Sequence, residues 1–82
     1  MTDPKYMRPG LDHALGKFIE EAGEVNAAIG KTIRWGYDSI DPTACPGDEF
    51  YGETNAQWIR REMEDLKDAI ENYLKEMSIA GY

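Results

Sequence analysis

Two short acidic motifs have spacings that could support chemistry. Glu20-Glu21-Ala22-Gly23-Glu24 lies in the first half of the chain and Glu62-Met63-Glu64-Asp65 in the second. Residues three apart on an α-helix project from neighbouring points of one face, so Glu21 with Glu24, and Glu62 with Asp65, each form an adjacent carboxylate pair. Two such pairs facing one another cannot all stay ionised uncompensated, because like charges raise each other's pKa and oppose folding. A hard divalent cation removes that penalty. Mg2+ takes oxygen ligands in octahedral geometry and keeps positions for water and substrate phosphates. Two such ions can clamp a pyrophosphate linkage and activate a water. Glu21, Glu24, Glu62 and Asp65 are therefore the candidate metal ligands, with Mn2+ as an alternative occupant. The competing chemistry, a carboxylate-bridged iron or manganese pair, wants Glu-x-x-His on helices. The sole histidine, His13, has no glutamate three residues upstream. Both acidic spacings are also ordinary on solvated helix faces, so spacing alone leaves that plainer reading open.

The elements that must position these acids are legible in the apolar pattern. Leu11, Leu15, Phe18, Ala22, Val25, Ile29 and Ile33 recur in steps of four and three, one stripe of an α-helix. The break at Pro9–Gly10 and a capping Asp12 place this helix at 11–34. Ile59, Met63, Leu66, Ile70, Tyr73 and Met77 repeat the pattern. Thr54 with Gln57 fits a capping box, and Gly81 is a stop signal, so the second helix is expected at 54–79. With Leu15 as zero and about 100° per residue, the first stripe centres at about 315°, Glu21 at about 240° and Glu24 at about 180°. With Ile59 as zero, the second stripe centres at about 0°, Glu62 at about 300°, Asp65 at about 240°, Asn72 at about 220° and Glu64 at about 140°. Both selected pairs flank the apolar stripe, and Glu64 does not. An antiparallel hairpin brings the two pairs to one edge.

Gly36 to Glu53 holds Pro42, Pro46, Gly47 and Gly52 without a sustained period and reads as a long loop, either a lid or a plain connector. Residues 1–10 are expected as a flexible arm and 11–80 as a single helical domain. Gly16, Gly23 and Gly30 share one line of the first helix, each costing about 1 kcal/mol relative to alanine. A second helix backbone approaching that line would compensate. A chain of 82 residues buries little core, so the all-α chain, two long antiparallel helices, is expected to assemble into a helical bundle as a dimer or higher oligomer. Sixteen acidic against nine basic residues give a net charge of −7, which disfavours nucleic-acid polymers as partners. Cys45 is the only cysteine, excluding an intrachain disulfide and a cysteine-based zinc site. The polar Met1–Gly10 segment and the absence of an apolar run of about 18 residues point to no secretory signal, no membrane span and a soluble cytoplasmic protein.

The run from Phe18 to Gly36, FIEEAGEVNAAIGKTIRWG, resembles the first motif helix of MazG-like proteins, especially small phage-type forms. Glu62-Met63-Glu64-Asp65 resembles their second motif, and Asn55 fits the small forms. The likeness spans about residues 15 to 75, and ExxE, Lys-x-x-Arg-x-Gly and ExxD occur together in order. It implies an all-α fold that dimerises into a bundle, as a homodimer or homotetramer. It implies Mg2+-dependent hydrolysis of a (d)NTP to the (d)NMP and pyrophosphate. Carried over, Glu21, Glu24, Glu62 and Asp65 hold metal. Glu20 and Glu21 are catalytic, with Glu20 binding a second metal or orienting the water. Lys31 and Arg34 meet phosphates, Asn55 is a substrate-binding candidate because it fits the small forms, and Asn72 is one because helical phase puts it on the edge of Glu62 and Asp65. Trp35, Tyr37 and Trp58 are candidates for stacking on a base. Two alternatives differ in class: a non-catalytic nucleotide-binding or regulatory module of the same kind, and a helical-hairpin interaction protein with solvated acids.

Overall fold

The structure, a computed structural model, describes residues 3–82. Met1 and Thr2, part of the expected arm, lie outside the described residues. After a 3-10 turn at Pro4–Tyr6, helix α1 runs Pro9–Trp35 and helix α2 runs Asn55–Ile79. The described residues form no strand; one isolated antiparallel bridge pairs Ile40 with Thr54. No helix among them is long and apolar enough to cross a membrane.

Helix α1 starts two residues earlier than its apolar pattern suggests. Pro9 takes the first turn, where a missing N–H costs nothing. The boundary residue is Arg8, not the expected Asp12; Asp12 sits one turn inside, and its Oδ2 accepts the Arg8 backbone N–H at 2.9 Å. The helix stops at Gly36, whose φ of 90° suits a residue without Cβ. Helix α2 opens on the expected capping box. The Gln57 N–H donates to Thr54 Oγ1 at 3.2 Å, and the Thr54 N–H donates to Gln57 Oε1 at 2.9 Å. It ends in a Schellman motif: Gly81 has φ 91°, its N–H donates to the Ser78 carbonyl, and the Tyr82 N–H donates to the Met77 carbonyl.

The two helices pack side by side as an antiparallel hairpin. The seam on α1 is Ala14, Phe18, Glu21, Val25, Ala28 and Thr32; on α2 it is Asn55, Glu62, Leu66, Ala69 and Tyr73. Each helix is thus turned by roughly 50° from the stripe its apolar residues define. Glu21 and Glu62 stand in the contact instead of flanking it. Leu15, Ile33, Met63 and Leu74 are left 43%, 82%, 46% and 57% exposed. Small side chains make this packing possible, since the buried apolar residues among the described residues are only Ala14, Val25, Ala28 and Ala69. A Cβ added at Gly16, Gly23 or Gly30 would meet nothing within 4 Å, so α2 does not approach the glycine line.

The long loop returns to the hairpin at the end of α1. Asn55 is buried there, and its Nδ2 donates to the Gly36 carbonyl at 2.8 Å and more weakly to the Lys31 carbonyl at 3.4 Å. The Asn55 N–H donates to Ser39 O at 2.8 Å and the Ala56 N–H to Tyr37 O at 2.9 Å. Asn55, expected to face substrate, therefore spends its amide N–H groups on the last carbonyls of α1. Asn55→Ala leaves those acceptors short of a donor, and is expected to destabilise the hairpin by about 1–3 kcal/mol in urea unfolding. A residue serving substrate alone would leave the unfolding curve unmoved.

Candidate metal centre

Glu21, at position seven of an uninterrupted helical run from Leu15, and Glu62, two turns into α2, meet across the seam. Both are 5% exposed. A carboxylate in such a place is costly unless it is paired and hydrogen-bonded. Each finds a cation on its own helix. Lys17 Nζ lies 2.8 Å from Glu21 Oε1, one turn earlier on α1. Arg61 Nη1 lies 2.9 Å from Glu62 Oε1. The second oxygen of each glutamate, Oε2, is buried with no hydrogen-bond partner.

Glu24, one turn beyond Glu21, completes a trio. Glu21, Glu24 and Glu62 each offer one carboxylate oxygen, and the three oxygens lie within 4.8 Å of one another. Glu24 is pushed up from its ordinary 4.5 to about 7, first by its hydrogen bond with Glu62, then by the negative charges of Glu21 and Glu62. Glu21 moves the other way: the hydrogen bond from Lys17 lowers it despite its burial, and the same contact raises Lys17. One proton shared at Glu24 thus relieves the crowding when no cation is bound. Three hard oxygen donors, two of them with a buried oxygen that has no partner, are a donor set suited to a divalent cation of the Mg2+ class.

Asp65, the fourth expected ligand, is exposed and stands outside this trio. It shares an open groove with Lys17, Glu21, Asp68 and Asn72, so Asp65 and Asn72 border Glu21 from the α2 side. Glu20 is exposed and pairs with Lys17 at 3.8 Å, also apart from the trio. Arg34 is exposed, and helical phase puts it roughly 160° around α1 from the seam. Lys31 lines a cavity of about 270 Å³ with Trp35, Ile40, Asn55 and Trp58. Trp58 also walls a second cavity of about 390 Å³, between the loop residues Asp41, Phe50, Tyr51 and Glu53 and the side chain of Arg61. Of the expected stacking residues, Trp35 and Trp58 reach these cavities; Tyr37 lies in an apolar groove with Ile59 and Met63.

Arg61, Glu53 and Phe50 were not evident as site residues in the sequence. The only hint is adjacency, since Arg61 immediately precedes Glu62. The Glu53 contact crosses from loop to helix, and no helical period encodes it.

The proton on Glu24 gives the cation-free protein a definite pH dependence. A group whose folded pKa is raised contributes stability fully present below its ordinary value and lost as pH climbs through the folded one. Without divalent cations, the melting temperature should therefore fall between pH 4.5 and about 7. Glu21, shifted down, acts only below 4.5 and leaves that window alone. Glu24→Gln should flatten the fall, and Mg2+ should restore stability at pH 8, as measured by circular-dichroism melts in chelator and in Mg2+. A wild-type melt independent of pH across the window would contradict the shared proton.

Comparison with protein-family models, with curated proteins and with solved structures finds no match for this chain.

Proposed function

We propose that this chain is a Mg2+-dependent nucleoside triphosphate pyrophosphohydrolase of MazG-like type, working as a homo-oligomer and accepting Mn2+ in place of Mg2+. The observation that carries this reading is the trio Glu21, Glu24 and Glu62, with oxygens within 4.8 Å of one another and two buried oxygens without partners. Those three residues would hold the cation, with Asp65 beside them. A bound cation would supply charge neutralisation and Lewis acidity toward a phosphoryl oxygen. Lys17 and Arg61 fix the two buried carboxylates in orientation. Lys31 lines an aromatic-walled cavity with Trp35 and Trp58, which supports a reading in which it would meet a phosphate chain and the base would stack near the two tryptophans. A second reading, nucleotide binding without turnover, is favoured by the separation of Asp65 and Glu20 from the trio.

One assay separates them. Purified protein is incubated with Mg2+ or Mn2+ and a panel of NTPs and dNTPs, and pyrophosphate and nucleoside monophosphate are measured. The expected outcome is stoichiometric release of both, abolished by chelator. Glu62→Gln, with helicity intact, should cost more than the 10–100-fold typical of losing an outer partner of a metal site, on the order of 100-fold or above. Cation-dependent binding of nucleotide without product would support the second reading, and absence of both would remove both.

The homo-oligomer is supported by the thin core and the exposed apolar row Leu15, Ile19, Ile33, Met63 and Leu74. Light scattering should give a mass of at least twice 9.3 kDa. Gly23→Ala provides an internal check. In a free monomer it should raise stability by about 1 kcal/mol through helix propensity. In an oligomer whose helices approach the glycine line, it should weaken assembly instead.

A further inference from the structure

Arg61 makes four directed contacts with a single guanidinium. Its Nε and Nη2 each donate to a Glu53 oxygen at 3.0 Å, as a two-pronged fork. Its Nη1 donates to Glu62 Oε1 at 2.9 Å. Its face lies 3.6 Å from the centre of the Phe50 ring. Glu53 and Phe50 belong to the loop between the helices, whereas Glu62 belongs to the carboxylate trio. Arg61 is thus the link by which the loop grips one carboxylate of the trio. It takes one oxygen of Glu62 and leaves the other, buried Oε2 without a partner.

We propose that Arg61 is a positioning residue for the Glu21–Glu24–Glu62 centre, oriented in turn by Glu53 and Phe50, so that divalent-cation affinity depends on loop residues that do not touch the cation. This rests on the cation reading of the trio. The fork is specific to arginine, since a lysine supplies one compact charge and no planar pair of donors. Glu53 has a second effect: it balances a positive charge that would otherwise oppose a cation next to Glu62. Binding is reciprocal, so a cation held by an oriented Glu62 should also steady the loop.

Positioning and charge make opposite predictions, which allows a clean test. Removing Arg61 deletes a positive charge beside the trio. If charge alone mattered, a cation would bind more tightly. If orientation matters, it should bind more weakly, by about 10–100-fold. The probe is Mn2+, followed by titration calorimetry and by its paramagnetic resonance signal, on the full chain with helicity checked. Arg61→Met and Arg61→Lys should both weaken Mn2+ binding at least about tenfold. Phe50→Leu, the mildest change, should weaken it about two- to fivefold, the scale of an exposed cation–π contact. Hydrogen exchange supplies a readout that a purely structural role would not move. Mn2+ should protect amides of residues 37–54 in the wild type and not in Arg61→Met.

The failures are distinguishable. Wild-type protein that binds no Mn2+, or binds it equally well as Glu21→Gln, overturns the cation reading and this proposal with it. Wild-type binding that depends on Glu21, with Arg61→Lys unchanged or Arg61→Met tighter, overturns positioning alone. Loop protection by Mn2+ that persists in Arg61→Met does the same.

Discussion

The hairpin is organised around two carboxylates buried where two helices touch. In an ordinary helix pair that contact is filled by aliphatic side chains. Here Glu21 and Glu62 occupy it, each 5% exposed. Transfer of an isolated charge into such a place costs several kcal/mol even after relaxation. The chain offsets this locally, with Lys17 one turn before Glu21 and Arg61 immediately before Glu62. It also keeps a proton at Glu24 up to about pH 7. Three of the four buried apolar residues among the described residues are alanines, Ala14, Ala28 and Ala69. The apolar area they bury is small, and hydrophobic stabilisation scales with that area. The contact therefore gives up cohesion where it holds acids together.

With so thin a core, local devices carry much of the architecture. Both ends of α2 are capped in full, by the Thr54–Gln57 box and by the Gly81 Schellman motif. The end of α1 is closed by Gly36 and by the Asn55 amide, which joins the last turn of one helix to the first turn of the next. These features order the helix ends but cannot bury the remaining apolar face. Leu15, Ile33, Met63 and Leu74 stay in solvent in the single chain.

That division explains what could be read from the sequence. Helix existence, the capping box, the glycine stop and the two-helix all-α fold follow from short-range signals, and they were legible. The meeting of Glu21, Glu24 and Glu62 was also legible, because helical phase confined all three to one edge. The rotation of the helices was not. A hydropathy stripe averages over every apolar contact a helix makes, including any beyond its own chain. Leu15 and Ile33 pull the inferred centre away from the actual seam. Phase also spoke for Asp65 as a fourth member, but it fixes direction and not reach, and Asp65 stays outside the trio. The Glu53–Arg61 fork escaped for another reason: its partners belong to a loop and a helix, with no common period.

The direction of the rotation has a consequence for how a site and an interface can coexist. In an antiparallel hairpin, residues displaced from the seam in the same angular sense on both helices come out on the same face. Lys17, Glu24 and Lys31 on α1, with Arg61, Asp65 and Asn72 on α2, are displaced one way. Leu15, Ile19 and Ile33, with Met63, Ile70 and Leu74, are displaced the other way. The hairpin is thus two-faced, with charge around the carboxylates on one side and bare apolar surface on the other. A second copy seated on the apolar face would stand behind the carboxylates and leave their front open. The group that stands beside them in front is the chain's own loop, through Phe50, Glu53 and the cavity walled by Trp58. On this geometry a second copy would add core on one face and the loop would wall the carboxylates on the other, so the two would not compete for the same residues.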